Sequence, residues 1–442
     1  MSVRLKLFVM MFLEFFIWGA WLPLIFGYLD KGGLNFTPGQ QSLILNAFPA
    51  AAILAMFFSN QFADRNFAAE KFLAVSHLIG GLSIMGCAFV TDFWSFFILM
   101  LVHCIFYVPT ISITNSIAFA SMKDAQEEFG IVRMGGTIGW IAAAWPPVFL
   151  LVDWKKVEAA GATDLVGKLG AIFDSPLTGE AMQQATSLTY VVAGAASLFL
   201  AGFSLTLPHT PPKPVVEGED SLAWLKSMRL LAHPFVMVLW LVTLVDSFVH
   251  NCYFNWTGRF LPTVGIPGNW VTPVMSIGQI AEILTMAILG LCLKKLGWRT
   301  TMIFGILGHA ARFAVFAFCG TEDFRTLIVL VQVLHGICYA FFFATVYIFV
   351  DEYFPKDIRS SAQGLFNLMI LGMGALAAGF VCPPLFDAWT KDGKTDFQGL
   401  FLIPCLSAVA AAVALALFFH PPKINGRPTE EIPVEGNDPF ES

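Results

Sequence analysis

Residues 275–282, MSIGQIAE, place an amide and a carboxylate in an otherwise apolar stretch. Gln279 and Glu282 are three residues apart, so on a helix they lie on the same face. A Gln amide beside a carboxylate can donate hydrogen bonds to a polar ligand, such as a base or a sugar ring, and accept them from it. The pair therefore predicts a ligand-binding site. A structural hydrogen bond to a neighbouring helix is the alternative.

A second polar line lies in RMGGTIGW, residues 133–140. Arg133, Thr137 and Trp140 share one helix face and supply a charged donor, a hydroxyl and a ring for stacking. The alternative for Arg133 is an anchor at the membrane surface or a partner for an internal acid.

A third candidate set precedes and enters the aromatic segment CYAFFFATVYIF. Gln332, His335 and Tyr339 follow one another at helical spacing, and an aromatic pocket with a few polar groups suits a planar heterocycle. Aromatic packing around a hydrogen-bonded histidine is the alternative.

Two further acids stand in apolar stretches. Asp246 and His250, four residues apart in DSFVHNCYFNW, could form an ion pair or a proton relay. Glu14 shares a stripe with Trp18 and Trp21. Since buried acids can also be paired for structural reasons, a direct role in proton transfer is only one interpretation of each.

The composition indicates what must position these residues. Of 442 residues, 57% are hydrophobic and 13% are charged, and the mean hydropathy is +0.72. Soluble domains have about 45–50% apolar and about 25% charged residues. Long, continuous apolar runs of the length that crosses a bilayer predict an all-α integral membrane protein rather than a β-barrel.

The first apolar run and the cysteines exclude two other classes. The N-terminal run is too long for a signal peptide and contains Glu14, so it is predicted to be a retained helix. The eight cysteines have no paired spacing, which argues against a disulfide framework or a metal site and favours packing.

The apolar runs divide into twelve predicted spans, numbered here in chain order. Their bounds are 5–29, 41–62, 72–91, 94–117, 124–152, 186–207, 233–257, 271–293, 299–319, 325–350, 360–386 and 398–420. The predicted domains are an N-terminal six-helix half, a cytoplasmic linker, a C-terminal six-helix half and a disordered cytoplasmic tail, at 1–207, 208–232, 233–420 and 421–442.

Lysine and arginine indicate the orientation. With both termini in the cytoplasm, the cytoplasmic loops carry about twice as many of them as the opposite side, as the positive-inside rule requires. Two six-helix halves joined by a cytoplasmic linker are the architecture of the major facilitator fold, whose site lies between the halves near the midplane.

Depth in the membrane strengthens the candidates. Glu282 lies about 16 Å along span 8 and Arg133 about 14 Å along span 5, at 1.5 Å per residue. A charge at the bilayer centre costs roughly 2.5–3.5 kcal/mol, so such residues are functional candidates. The chain has no phosphate-binding loop, HExxH motif or nucleophile elbow, which argues against an enzyme. A secondary transporter without cofactor, metal or nucleic-acid partner remains.

Six stretches, in this order and spacing, resemble the nucleoside:proton symporter family of the major facilitator superfamily. They are FFIWGAWLP at 15–23, VPTISITNS at 108–116, RMGGTIGW at 133–140, MSIGQIAE at 275–282, ARFAVFAF at 311–318 and DIRSSAQGLF at 357–366. The resemblance implies a monomeric transporter of the bacterial inner membrane that imports nucleosides by alternating access coupled to protons.

The resemblance also implies which residues contact the nucleoside. They are Arg133, Thr137, Trp140, Asn251, Phe254, Gln279, Glu282, His335 and Tyr339. The chain departs from the family at Ala340, where relatives have an acid after the second aromatic residue. Proton coupling would then fall to Glu282, Asp246 with His250, or Glu14. A symporter or facilitator for sugars or other small polar solutes is the same-fold alternative, and a non-transporting membrane sensor is the alternative of a different class.

Overall fold

The computed structural model describes residues 1–55, 67–122, 125–212, 228–354 and 356–421. The described chain is mostly helical. Its named strands are Thr390–Lys391 and Lys394–Thr395, which pair antiparallel in a small hairpin. The all-α class predicted from composition is confirmed. Most of the predicted linker and all but the first residue of the predicted tail lie outside the described residues.

Nine helices in the described ranges are long and apolar enough to cross a membrane. With adjoining short helical turns included, their bounds are Val3–Leu29, Ala69–Phe89, Phe93–Ser121, Gly179–Ser204, Pro234–Val264, Gly268–Phe318, Glu322–Tyr353, Ala362–Ala388 and Phe397–Phe418. The protein is therefore a multi-pass membrane protein.

The longest helix, Val271–Phe318, comprises two predicted spans. Its backbone is non-helical at Gly297, with φ at 73°, where glycine is tolerated because it has no Cβ. Gly297 lies in the basic turn predicted between spans 8 and 9. The nine helices thus account for ten predicted spans, and the count of twelve stays a prediction.

The other two predicted spans correspond to shorter helices. Span 2 contains Pro38–Leu45 and Ala47–Leu54, before residues that are not described. Span 5 is Ala125–Ala143, shorter than its predicted range, and a separate short helix follows at Pro146–Leu150. Adjacent prolines at 146 and 147 explain the break, because proline has no backbone N–H to continue a helix.

Short helices connect spans 5 and 6. They are Trp154–Ala159 and Leu165–Phe173, and each begins at an aspartate whose side chain accepts a backbone N–H. Such caps satisfy donors that the first helical turn leaves unpaired.

Spans 10 and 11 are interrupted by wider turns. Span 10 consists of Arg325–Leu330, Val333–Cys338, the π-helical turn Tyr339–Ala344, and Thr345–Tyr353. Span 11 consists of Lys356–Asn367, the π-helical turn Leu368–Met373, and Gly374–Ala388. π-helical turns are frequent at functional sites. The one in span 10 begins at a predicted site residue.

Two large hydrophobic clusters form most of the described core, and a small third one consists of Val148, Val152 and Ile172. One large cluster is built from residues between 7 and 207 and the other from residues between 236 and 419. Each half therefore buries its own apolar side chains. The bounds of the four predicted domains are not tested by this and stay predictions.

Close helix packing fixes the position of span 5. A Cβ added at Gly139 would lie 2.0 Å from the carbonyl oxygen of Phe12 in span 1, so only glycine allows this approach. The contact holds the face with Arg133 and Trp140 against span 1.

Candidate functional site

Opposite charges from the two halves lie within electrostatic range of each other at the predicted site. The Arg133 guanidinium in span 5 interacts electrostatically with the Glu282 carboxylate in span 8 and with Tyr339 in span 10. Arg133 also lies over the Phe15 ring, at 4.2 Å from the centroid. All three predicted residues are only partly buried. The structure thus brings Arg133, Glu282 and Tyr339 together.

Trp140 forms an aromatic link across the halves. Its ring meets Trp18 edge-on at 5.3 Å and Phe254 at 6.3 Å between centroids. Trp18 in turn stacks on Phe48 at 4.6 Å. Thr137, one helical turn before Trp140, is also partly buried. The predicted ring for stacking therefore has partners from both halves.

Spans 8 and 10 cross almost in backbone contact beside Glu282. A Cβ added at Gly336 would lie 2.1 Å from the Gly278 carbonyl oxygen and 2.2 Å from the Glu282 amide nitrogen. A Cβ at Gly278 would meet the Cβ of His335 at 2.8 Å. These glycines bring the predicted residues of the two spans together.

Gln279 can make hydrogen bonds within its own helix. With its amide oriented so that Nε2 faces acceptors, it donates to the carbonyl oxygens of Met275, at 3.1 Å, and Ser276, at 3.3 Å. Its donor capacity is therefore directed at its own helix. Asn251 behaves similarly, since its Nδ2 donates to the Ser247 carbonyl oxygen at 2.8 Å.

His335 lies in a cluster of rings. It stacks on His250 at 4.7 Å, is 4.4 Å from Tyr253, and meets Phe254 edge-on at 5.4 Å. Tyr339 is 6.1 Å from His250. The predicted residues of spans 7 and 10 thus form one aromatic wall.

Arg312 at the centre of span 9 was not predicted as a site residue. It is fully buried and donates to His335 Nδ1 at 2.8 Å and to His309 Nδ1 at 3.1 Å. Its guanidinium lies 4.2 Å above the Tyr253 ring. Arg312 and His309 stand near the middle of their apolar span, so the argument from membrane depth could have found both.

Asp246 interacts with a different histidine from the one expected. Its Oδ2 lies 3.6 Å from His309 Nε2, whereas the His250 ring packs on His335 and Phe343. The sequence suggested His250 because of its helical spacing. A neighbouring helix supplies the nearer partner, which spacing within one helix cannot reveal.

Glu14 is enclosed within the N-terminal half. Its carboxylate oxygens contact His77 Nε2 at 2.9 Å and accept from Thr110 Oγ1 at 2.7 Å. Tyr107 donates to the Glu14 backbone carbonyl at 2.6 Å. Glu14 thus belongs to a buried hydrogen-bonded network, and His77 was another residue that the sequence reasoning missed.

The two halves are joined at one end. Arg259, at the end of span 7, pairs with Asp30 after span 1 at 3.1 Å and donates to the Phe26 carbonyl oxygen at 2.6 Å. Its guanidinium also covers the Phe386 ring at 4.1 Å. Thr272, at the start of span 8, donates to the carbonyl oxygen of residue 144 at 2.9 Å. These contacts close this end, which we call the Arg259 end.

The fold and this site define a class of protein: a multi-pass helical membrane protein with a polar, aromatic-lined site between two halves, as secondary transporters have. The sequence model described as "Nucleoside H+ symporter" matches residues 1–173 and 164–424. The chain belongs to the nucleoside H+ symporter family, and the resemblance seen in the six stretches is confirmed.

Relatives align along nearly the whole chain. The candidate nucleoside transporter YegT of Escherichia coli is 32% identical over 435 residues, covering 95% of this chain and 94% of that protein. The xanthosine permease of the same organism is 27% identical over 437 residues, covering 95% and 96%.

Solved structures share the fold. A mutant of the nucleoside transporter NupG matches with a TM-score of 0.80 at 25% identity, covering 95% of this chain and all of that one. A D-xylose-proton symporter matches with a TM-score of 0.67 at 13% identity, covering 94% and 98%, which is a likeness of fold alone. The predicted fold class is confirmed.

Proposed function

We propose that the protein is a secondary transporter that imports nucleosides by alternating access, coupled to protons. Family membership supports transport with a proton, and relatives named as a nucleoside transporter and a xanthosine permease support a nucleoside as the substrate. We place the protein in the bacterial cytoplasmic membrane, with both termini in the cytoplasm.

One observation carries the proposal: a cation and an acid from different halves lie within electrostatic range of each other beside aromatic rings. A ligand held by Arg133 and Glu282 would contact both halves at once. Ribose hydroxyls suit a carboxylate that accepts hydrogen bonds, and a planar base suits the Trp140 and Tyr339 rings. A nucleoside offers both kinds of group within one small molecule.

Each predicted residue receives a role in this proposal. The Glu282 carboxylate accepts hydrogen bonds from the sugar or the base. The amide oxygen of Gln279, which its own helix does not use, accepts a hydrogen bond beside it. Arg133 and Thr137 donate from the N-terminal half, while Trp140 and Tyr339 stack on the base. The remaining predicted contacts line the C-terminal wall; they are Asn251, Phe254 and His335.

The Arg259 end supports alternating access. In the proposed orientation, span 1 runs outward and Asp30 lies at the external side. Its pairing with Arg259 closes that side, and the partly exposed Arg133 and Glu282 are then reached from the cytoplasm. We infer that this conformation is the one that releases substrate inward, and that rocking of the halves opens the other side.

The driving force is the proton gradient rather than a chemical reaction, and the protein is a transporter and not an enzyme. We propose that a monomer is sufficient and that no cofactor or metal takes part. Because Ala340 cannot bind a proton, the coupling candidates are Glu282, Asp246, His250 and Glu14.

Uptake into proteoliposomes tests the proposal. Radiolabelled uridine and adenosine should accumulate when an inward proton gradient is imposed, and unlabelled nucleosides but not sugars should compete. Competition by sugars alone would favour the same-fold alternative. Binding without uptake under any gradient would favour a sensor, and uptake indifferent to pH would remove the coupling but keep the substrate.

A further inference from the structure

Four ionisable side chains form a cluster inside the C-terminal half, behind the aromatic wall. Asp246, His309 and Arg312 are fully buried, and His335 is 2% exposed. They come from spans 7, 9 and 10. We call these four residues the buried charge cluster. Only His335 reaches the predicted substrate site.

Hydrogen bonding fixes the protons on both histidines. Arg312 can only donate, so the Nδ1 atoms of His309 and His335 that it contacts must accept. Each neutral ring then carries its proton on Nε2. Adding a proton at Nδ1 would break a bond to Arg312 and place two positive charges side by side. Arg312 therefore keeps both histidines neutral.

Asp246 is the exception in the cluster. Among the described residues neither of its carboxylate oxygens has a hydrogen-bond partner, and His309 Nε2 lies 3.6 Å from Oδ2. A proton can therefore bind Asp246 without displacing any hydrogen bond.

Glu14 provides a contrast in the other half. Ser197 Oγ donates to the His77 carbonyl oxygen, so His77 Nδ1 must donate to that hydroxyl. His77 Nε2 contacts one Glu14 carboxylate oxygen at 2.9 Å, and Thr110 Oγ1 donates to the other at 2.7 Å. Both carboxylate oxygens of Glu14 are therefore already engaged, which indicates a structural role.

We propose that Asp246 is the proton-coupling site and that His309 and Arg312 transmit its charge state to His335. The inference deepens the proposed nucleoside symport and rests on it. Charged Asp246 balances Arg312 in the membrane interior. When Asp246 takes up a proton, this charge balance is lost. The electrostatic attraction that keeps the side chains of His309 and Arg312 in place then weakens.

The signal has a short path to the substrate. Arg312 bonds directly to His335, and His335 packs on Gly278 where spans 8 and 10 cross. Glu282 follows Gly278 by one helical turn on the same span. A movement of Arg312 is therefore transmitted to Glu282, the carboxylate proposed to bind substrate, through the His335 side chain and the crossing of spans 8 and 10.

Titratable groups near Asp246 come from spans 7, 9 and 10. Span 9 contributes His309 and Arg312, and span 10 contributes the Cys338 thiol, which interacts electrostatically with Asp246. Span 7 itself contributes His250, which interacts with Arg312 and His309. Arg312 is the one cation of this set, so the charge of Asp246 decides the net charge of the region.

The test compares driven accumulation with exchange in proteoliposomes whose membrane potential is clamped at zero. With one proton per nucleoside, a pH difference of one unit supports about tenfold uridine accumulation. We expect Asp246→Asn to abolish this pH-driven accumulation of uridine. Exchange of internal for external uridine should continue in the same variant. Glu14→Gln is the matched control, an acid equally buried beside a histidine, and should keep pH-driven accumulation. Normal accumulation by Asp246→Asn, or its loss in Glu14→Gln instead, would overturn the proposal.

A conservative variant covers the case in which Asp246→Asn does not fold. Asp246→Glu should keep coupling but shift the midpoint of the pH profile of uptake, and an unchanged midpoint contradicts the assignment. Arg312→Lys should shift the same midpoint without removing exchange, as a positioning role requires.

Infrared difference spectroscopy separates this inference from the proposed function because it needs no substrate. Acidification of the parent protein should produce the C=O band of a protonated carboxylic acid that Asp246→Glu moves in frequency. If the parent shows the band but transports no nucleoside, the proposed function fails and the proton site stands. If Asp246→Glu leaves the frequency of the band unchanged, the assignment of the proton site to Asp246 fails, even when nucleoside uptake is normal.

Discussion

The crossing of spans 8 and 10 provides a sharp test of the site geometry. Gly336→Ala adds one methyl group at the point where its Cβ would lie 2.1 Å from the Gly278 carbonyl oxygen. An ordinary contact begins at 3.4 Å, so the two backbones must separate by about 1.3 Å. The obstacle is main chain, which cannot rotate aside as a side chain can.

Two measurable effects should follow. Overpacking of this kind typically destabilises by about 1–3 kcal/mol, so thermal unfolding in detergent should begin at lower temperature. Displacement by about 1 Å also moves Glu282 relative to Arg133, and misplacement of that size can reduce a reaction rate about a hundredfold. We therefore expect uridine uptake by Gly336→Ala to fall by roughly tenfold to a hundredfold.

Gly290→Ala is the matched control on span 8. Nothing lies within 4 Å of a Cβ built at Gly290, so this variant should transport normally. It should also unfold at an equal or higher temperature, because alanine favours a helix over glycine. If Gly336→Ala transports and unfolds like Gly290→Ala, the close crossing and the placement of Glu282 that depends on it are wrong.

Three further predictions concern single side chains. Glu282→Gln should abolish uridine uptake while thermal unfolding stays near that of the parent, and normal uptake would remove Glu282 from the site. Trp140→Ala should weaken uridine binding, measured by calorimetry, by about 1–3 kcal/mol, because base stacking on an aromatic ring contributes about that much. Trp94→Ala is its control, since Trp94 is 65% exposed, and it should bind uridine like the parent. Tyr253→Phe leaves buried Gln332 without its 2.7 Å donor, so the unfolding free energy should fall by about 1–3 kcal/mol, whereas an unchanged unfolding temperature would contradict the bond.

Much of the fold was predictable because a bilayer makes strict demands on sequence. Apolar length predicted where most helices run, and the basic turn around Gly297 predicted the division of the longest one. The energetic cost of a buried charge singled out Arg133 and Glu282, which lie within electrostatic range of each other in the structure.

The remaining features depend on contacts between helices. Asp246 was expected beside His250, but His309 from span 9 lies nearer, and no pattern within span 7 contains that information. Arg312 and His309 met the same criterion of depth as Glu282 and were overlooked. The π-helical turn at Tyr339–Ala344 has no composition that distinguishes it from an aromatic α-helix.

The Arg259 end has a consequence for the kinetics of transport. Opening that end must replace the ion pair of Arg259 with Asp30 and its bond to the Phe26 carbonyl oxygen by water. None of these groups belongs to the predicted nucleoside contacts. If the proposed alternating access holds, we expect changes there to alter the barrier between the two conformations, and therefore the turnover number, while the intrinsic affinity of the central site stays the same.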